Sequence, residues 1–406
     1  MPEKLLGPTL RNSRLAKLQA YPFEKLRALL AGGAASATHS PINLSIGEPK
    51  HPTPALIKEA FVEGLDGLAA YPATAGTPAL KNAIGDWLRS RYHLEHLDPA
   101  TQVLPVNGSR EALFSFAQTA IDPADPGKVA IPNPFYQIYE GAALLAGAEP
   151  VYLNTVRETG FRLQFGELDE AEWRKVRLIY VCSPANPCGN VMQLEEWRAL
   201  FELADRHGFM IASDECYSEL YFDEARAPLG ALQAAQALGR KGFERLVVFS
   251  SLSKRSNAPG MRSGFAAGDA QALREYLLYR TYHGSAMSQV VQQASIAAWR
   301  DELHVRENRR LYAEKFKAVL PLLSAPLEAY LPDGGFYLWM LTPIDDKTFA
   351  RELWRQYNVL VVPGSFLARE ANGINPGAGY VRIALVAPLH ACVAAIERIN
   401  AFGRTL

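Results

Sequence analysis

From about residue 100 onward, short apolar runs alternate with longer amphipathic stretches. The runs at 128–131, 178–182, 209–212, 246–249 and 264–267 are too short for buried helices and read as strands. Between them, 113–121, 193–206 and 270–279 place apolar residues at helical spacing. Strand and helix in alternation predict an α/β fold with a mostly parallel sheet, because a parallel crossover needs a connection that covers the sheet face. A helical pattern over 287–320 is too long for a crossover and is expected to be a connector between domains. The order then changes: a strand at 335–341, a helix at 348–357, strands at 359–362 and 380–385, and a last helix to Phe402. That is a smaller α+β unit. Residues 1–45, with one short helical segment at 23–30, read as an arm that belongs with the small unit. The expected division is therefore arm 1–45, large domain 46–290, connecting helix 291–325 and small domain 326–406.

Composition narrows the function. With 49% hydrophobic residues, the 406-residue chain can bury a large core. Lys+Arg and Asp+Glu both number 42, so no charge excess points to nucleic acid or a membrane surface as partner. Lys4, Arg11, Arg14 and Lys17 come without the apolar core of a secretory leader, and no run reaches membrane-spanning length. The four cysteines (Cys182, Cys188, Cys216, Cys392) lack paired metal spacing and read as reduced thiols of a cytoplasmic protein without a bound metal.

The most informative stretch follows the apolar run 246–249. It contains Ser251, Ser253, Lys254 and, eight positions after the lysine, Arg262. A lysine near apolar walls and other cations has its pKa lowered, so its free amine is available as a nucleophile. Small hydroxyl residues and an arginine beside it suit a phosphate. Asp214 ends another apolar run, and a carboxylate there can face a protonated ring nitrogen. Tyr217 and Asn186 can donate to a ring oxygen. Gly108, Ser109 and Arg110 open a helix after a strand, where free N–H groups and the helix dipole bind anions. Tyr136 follows a strand and can stack on a planar ring, whereas Tyr71 sits in a Gly/Pro-rich loop that a lone monomer has little reason to order. Arg382, on an apolar strand, must be paired or face a ligand, and its planar fork fits a carboxylate. Neither a Walker loop nor a dinucleotide glycine motif occurs.

Together these segments resemble the class I/II aminotransferases of fold type I, which depend on pyridoxal 5'-phosphate, and the resemblance runs from Ser45 to Arg382. It implies an aspartate aminotransferase-like fold with a large cofactor-binding domain, and catalysis by Lys254, Asp214 and Tyr217. It also implies a homodimer with shared active sites, in which Tyr71 reaches the cofactor phosphate of the neighbouring subunit. Gly47 and Asn186 would join Arg382 in binding the substrate. Cys188 departs from the usual threonine or histidine after Asn-Pro. The segments 21–26, 45–51 and 253–262 resemble the subgroup that acts on N-succinyl-L,L-diaminopimelate with 2-oxoglutarate, in lysine and meso-diaminopimelate biosynthesis. Such a substrate carries further carboxylates, for which Lys50, Arg255, Arg280 and His283 are the candidate cations. An aspartate or aromatic aminotransferase or a carbon–sulfur lyase would share the same core residues. A ligand-sensing, non-catalytic relative would need a fused DNA-binding domain, for which the arm is too short and too weakly basic.

Overall fold

The computed structural model describes residues 12–406. Lys4, Arg11 and the first part of the expected arm lie outside the described residues. The first strand, β1 (Ile42–Asn43), stands apart from the main sheet. Seven strands then build that sheet: β2 (Val103–Val106), β3 (Lys128–Asn133), β4 (Glu149–Asn154), β5 (Val176–Cys182), β6 (Met210–Asp214), β7 (Leu246–Ser251) and β8 (Gly264–Gly268). Their order is β2-β8-β7-β6-β5-β3-β4. β8 runs antiparallel to both of its neighbours, and the other pairs are parallel. Both faces of the sheet are covered, which explains why its strands read as unbroken apolar runs. On β5, Leu178 and Tyr180 enter one core with Phe116 and Phe249. Ile179 and Val181 enter the other, with Trp197 and Phe209.

The pattern over 287–320 is two helices, Gln289–Arg300 and Leu303–Val319, and not one. The break has a visible partner. Arg255 donates to the carbonyls of Ala298 at 2.8 Å and Asp301 at 3.3 Å, and pairs with Glu302. Carbonyls at a helix C-terminus lack intrahelical donors, and this guanidinium supplies them.

The second unit holds β9 (Tyr337–Leu341), β10 (Val359–Leu360), β11 (Val362–Pro363) and β12 (Tyr380–Ala384). Its antiparallel sheet has the order β11-β12-β9. The single strand expected at 359–362 divides between two sheets: β10 pairs with β1 in parallel, and β11 with β12. Leu338, Met340, Val381 and Ile383 pack there against Phe349, Leu353, Ile396 and Phe402.

The segment after β11 is fastened to the helix Ile138–Ala146, which precedes β4. Arg369 pairs with Glu140 at 2.6 Å, both side chains being nearly buried, and Tyr152 also donates to Glu140 at 2.5 Å. Removing one partner of such a pair strands the other charge. Arg369→Ala is expected to lower unfolding free energy by about 3 kcal/mol, read by denaturant titration. A loss below about 1 kcal/mol, the range of a surface pair, would contradict that reading. No described helix is long and apolar enough to cross a membrane.

Candidate active site

β2, β5, β6 and β7 all point their carboxyl ends to one edge of the sheet, where open α/β sheets bind ligands. A cavity of about 590 Å³ lies there. Its wall combines Gly47, Ser109, Arg110, Tyr136, Asn186 and Asp214 with Tyr217, Ser251, Ser253, Lys254, Arg262 and Arg382. The sequence candidates from distant segments thus meet in one place.

Lys254 sits on the short helical turn Leu252–Arg255 that follows β7 directly. Its Nζ donates to the carbonyl of Gly47 at 2.7 Å. Burial, with help from Arg382 and Arg262, lowers its pKa from 10.5 to about 8. Asp214 ends β6 and is buried. It accepts from the Tyr139 hydroxyl at 2.7 Å and the Cys216 N–H at 3.2 Å. Burial pushes its carboxyl upward, and among the described residues no cation forms an ion pair with it. The Tyr217 hydroxyl lies 3.0 Å from that of Tyr337. Tyr136 packs edge-on against Tyr139.

Gly108 caps the helix Ser109–Ala120 at φ +86°, and a Cβ there would lie 2.2 Å from Nη2 of Arg262. Only glycine permits both the backbone angle and the approach of that arginine. No side chain caps this helix, so its first N–H groups face the cavity edge unclaimed by a cap. The Cys216 thiol shares a hydrogen bond with Ser109 Oγ at 2.7 Å, and Ser251 Oγ accepts from the Ser253 N–H at 3.4 Å. Arg262 donates to the carbonyl of Pro259 at 2.8 Å and remains exposed.

Arg382 reaches in from β12. Its fork donates to Asn186 Oδ1 and to the carbonyl of Ser45, both at 3.0 Å, and it lies 4.4 Å from the Tyr337 ring centroid. It is buried, its Nε has no partner, and among the described residues no acid pairs with it. A buried guanidinium left so is poised for an anionic ligand. Gly47 is held tightly as well: a Cβ there would fall 1.9 Å from the Tyr337 hydroxyl.

The candidates for distal carboxylates fare differently. Arg255 is fully buried, 5.4 and 4.8 Å from the rings of Trp87 and Trp299, and paired with Glu302, so it faces the helix break and not the cavity. Arg280 is paired with Glu111 at 2.9 Å in the interior. Lys50 is paired with Glu48, and Glu48, not Lys50, lines the cavity. His283 is exposed and stacks on Tyr279. Tyr71 is fully exposed and outside the cavity of this chain. Among the wall residues not singled out for the site in the sequence are Tyr337, Glu48, Cys216 and Gln137. The pair Gly334-Gly335 before Phe336-Tyr337 was the available signal for the first, since glycines there admit close backbone approach.

These residues fit pyridoxal phosphate by their own chemistry. A buried acid lacks a cation, an amine is kept partly unprotonated, and an uncapped helix start with two serines and two arginines offers an anion cup.

Known proteins agree with the geometry. Residues 39–398 match the family model "Aminotransferase class I and II". A solved aminotransferase from Neisseria meningitidis superposes with a TM-score of 0.93 at 51% identity, covering 97% of this chain and 100% of that one. The LL-diaminopimelate aminotransferase of Maridesulfovibrio salexigens is 30% identical over 393 residues, 95% of this chain and 97% of that protein. A Thermus thermophilus structure described as "probable N-succinyldiaminopimelate aminotransferase" has a TM-score of 0.83 at 25% identity, covering 94% and 99%. A match over most of the chain, on a sheet whose carboxyl edge gathers this lysine, aspartate and arginine, places the protein among the pyridoxal-phosphate-dependent class I and II aminotransferases.

Proposed function

We propose that the protein transfers an amino group between N-succinyl-L,L-diaminopimelate and 2-oxoglutarate, in diaminopimelate and lysine synthesis. The observation that carries the substrate class is the relationship along 95% of the chain to an LL-diaminopimelate aminotransferase. The Thermus thermophilus relative supports the succinylated form. A cavity of about 590 Å³ has room for a long tricarboxylic substrate beside the cofactor.

Asp214 would face the cofactor's ring nitrogen, Tyr136 its ring face, and Tyr217 and Asn186 its ring oxygen. Asn186 spends its carbonyl oxygen on Arg382, which leaves its amide N–H groups for that contact. Gly108, Ser109, Arg110, Ser251, Ser253 and Arg262 would hold the phosphate. When bound, pyridoxal phosphate supplies the sink for the electron pair released at the substrate α-carbon. Arg382 would grip the α-carboxylate with two parallel hydrogen bonds and so fix which bond at that carbon is presented for cleavage. Lys254 Nζ would take the α-proton and return it on the other side of the transfer. Gly47, opposite Tyr337, keeps the carboxylate subsite free of a side chain.

One observation favours a second reading, in which the substrate is unacylated. The Glu48 carboxylate lines the cavity and suits a distal ammonium group, which free diaminopimelate has and the succinylated form lacks. Steady-state kcat/KM for the two compounds, with aspartate and an aromatic amino acid beside them, separates the readings. Preference for the succinylated compound is expected. Preference for free diaminopimelate would move the assignment to the second reading, and activity confined to aspartate or aromatics would overturn both.

The protein is further proposed to act as a homodimer. Phe61, Val62, Leu65, Leu68 and Tyr71 are all exposed on one segment, an apolar strip that a second copy would cover. Sedimentation is expected to show a dimer, and Tyr71→Ala is expected to release cofactor more readily. A monomer with full activity would contradict this.

The Lys254 amine sets a pH dependence for cofactor capture. The free amine is the nucleophile, and its fraction rises with pH through a midpoint at a pKa of about 8. The rate at which cofactor-free protein takes up pyridoxal phosphate should rise through that pH and level off. A rate still climbing near the ordinary lysine value of 10.5 would show that the amine is not perturbed.

A further inference from the structure

The turn that carries Lys254 is gripped from below by the helix Leu303–Val319. Asn308, buried on that helix, donates through Nδ2 to the carbonyls of Lys254 at 3.1 Å and Arg255 at 3.4 Å. Its Oδ1 accepts from Asn257 Nδ2 at 3.0 Å and meets His51 Nδ1 at 2.8 Å. His51 Nε2 lies 2.8 Å from Lys315 Nζ, and that ammonium also donates to the carbonyl of Val386 at 3.3 Å.

The two ends fix the polarity of this chain. Backbone carbonyls only accept, so the Asn308 amide must turn its NH₂ toward Lys254 and its oxygen toward His51. His51 must then carry its proton on Nδ1 and accept at Nε2, which is what the Lys315 ammonium requires. Lys315 is buried, and among the described residues no acid pairs with it. Burial lowers its pKa to about 8, so below that pH it stays an ammonium, and a buried ammonium without an acid is expensive. Burial lowers the His51 pKa and the Lys315 charge adds to that, against the hydrogen bond to Asn308 and the Glu307 charge, and the net shift is downward. The ring of Tyr312, 4.6 Å away, closes the remaining side. Neutral His51 is the form the chain of donors needs.

We propose that Asn308 is a positioning residue for Lys254, and that Lys315, acting through His51, helps hold the Asn308 amide in the orientation those carbonyls require. This rests on the assignment of Lys254 as the amine that carries the cofactor. A proton-transferring group that can swing by an ångström loses rate without losing substrate affinity. Arg382, Glu48 and Arg262 act electrically on the Lys254 amine, whereas Lys315 is joined to the backbone of its turn by this chain of hydrogen bonds.

Two variants test it in the cofactor-loaded enzyme. Asn308→Asp keeps shape and both acceptor contacts but sets an oxygen against two carbonyls. Lys315→Met removes the ammonium and frees His51 to move its proton. In both, kcat is expected to fall about tenfold while the KM for the amino donor stays within about twofold. The pH midpoint of the cofactor's visible band is expected to shift by roughly half a unit. His51→Leu should resemble Lys315→Met and lose more kcat than His51→Gln, whose amide can still donate and accept. A lowered melting temperature with wild-type kcat and band midpoint in both variants would mean packing alone, and would overturn the proposal. Borohydride trapping of the cofactor on unmutated protein keeps the two assignments apart. If the cofactor is not fixed on Lys254, that reading falls and this one with it. If it is fixed there, unaltered kcat and band midpoint overturn the positioning role alone.

Discussion

Lys254→Ala is expected to abolish turnover while leaving the cofactor site able to fill. Asp214, the anion cup around Ser109 and Arg262, and the wall at Tyr136 are all built without the lysine side chain. On the proposed assignment, removing the amine removes both the attachment point and the group that moves the α-proton. A drop of at least about 10⁴-fold in kcat follows, the upper end of what a positioned acid–base group contributes. The cofactor's visible band should change in the same protein, because the amine no longer holds the aldehyde. Sustained transamination by clean Lys254→Ala protein would contradict the role given to this residue.

Arg382→Ala is the second large effect. The side chain has no acid partner among the described residues and one N–H group with none at all. In the proposed role its loss would leave the substrate α-carboxylate without its bidentate partner, at about 2–5 kcal/mol. That corresponds to a fall in kcat/KM of about 30-fold or more. Most of it should appear in KM, with a further loss in kcat because Asn186 loses its anchor. Arg382→Lys should recover only part, since a point charge cannot reproduce the fork. An unchanged rate at low substrate would sink the assignment.

The alternation of runs 178–182, 209–212 and 246–249 with helical stretches made the α/β architecture legible, because a doubly covered parallel sheet leaves that trace. Strand direction was not legible. The run 264–267 reads like its neighbours, yet β8 is antiparallel, since an apolar run carries no arrow. Lys254, Asp214, Asn186 and Gly108 could be singled out because each lies at a strand end with its local chemistry beside it. Arg255 shows the limit of local reading. It stands next to Lys254 in sequence, yet one step along a helical turn swings a side chain by about 100°, and Arg255 closes a helix break on the far side. Tyr337 was missed for the opposite reason. It belongs to a distant strand of the second unit, and only the folded chain brings it against Tyr217, Gly47 and Arg382. The interruption at Asp301–Glu302 was invisible because helical periodicity continues across it, and its partner is 46 and 47 positions away.

Borohydride reduction of the yellow protein, followed by peptide mapping, locates the cofactor's point of attachment. A single cofactor-modified peptide that contains Lys254 is expected, with modification lost in Lys254→Ala. Modification of another lysine, or none, would contradict it.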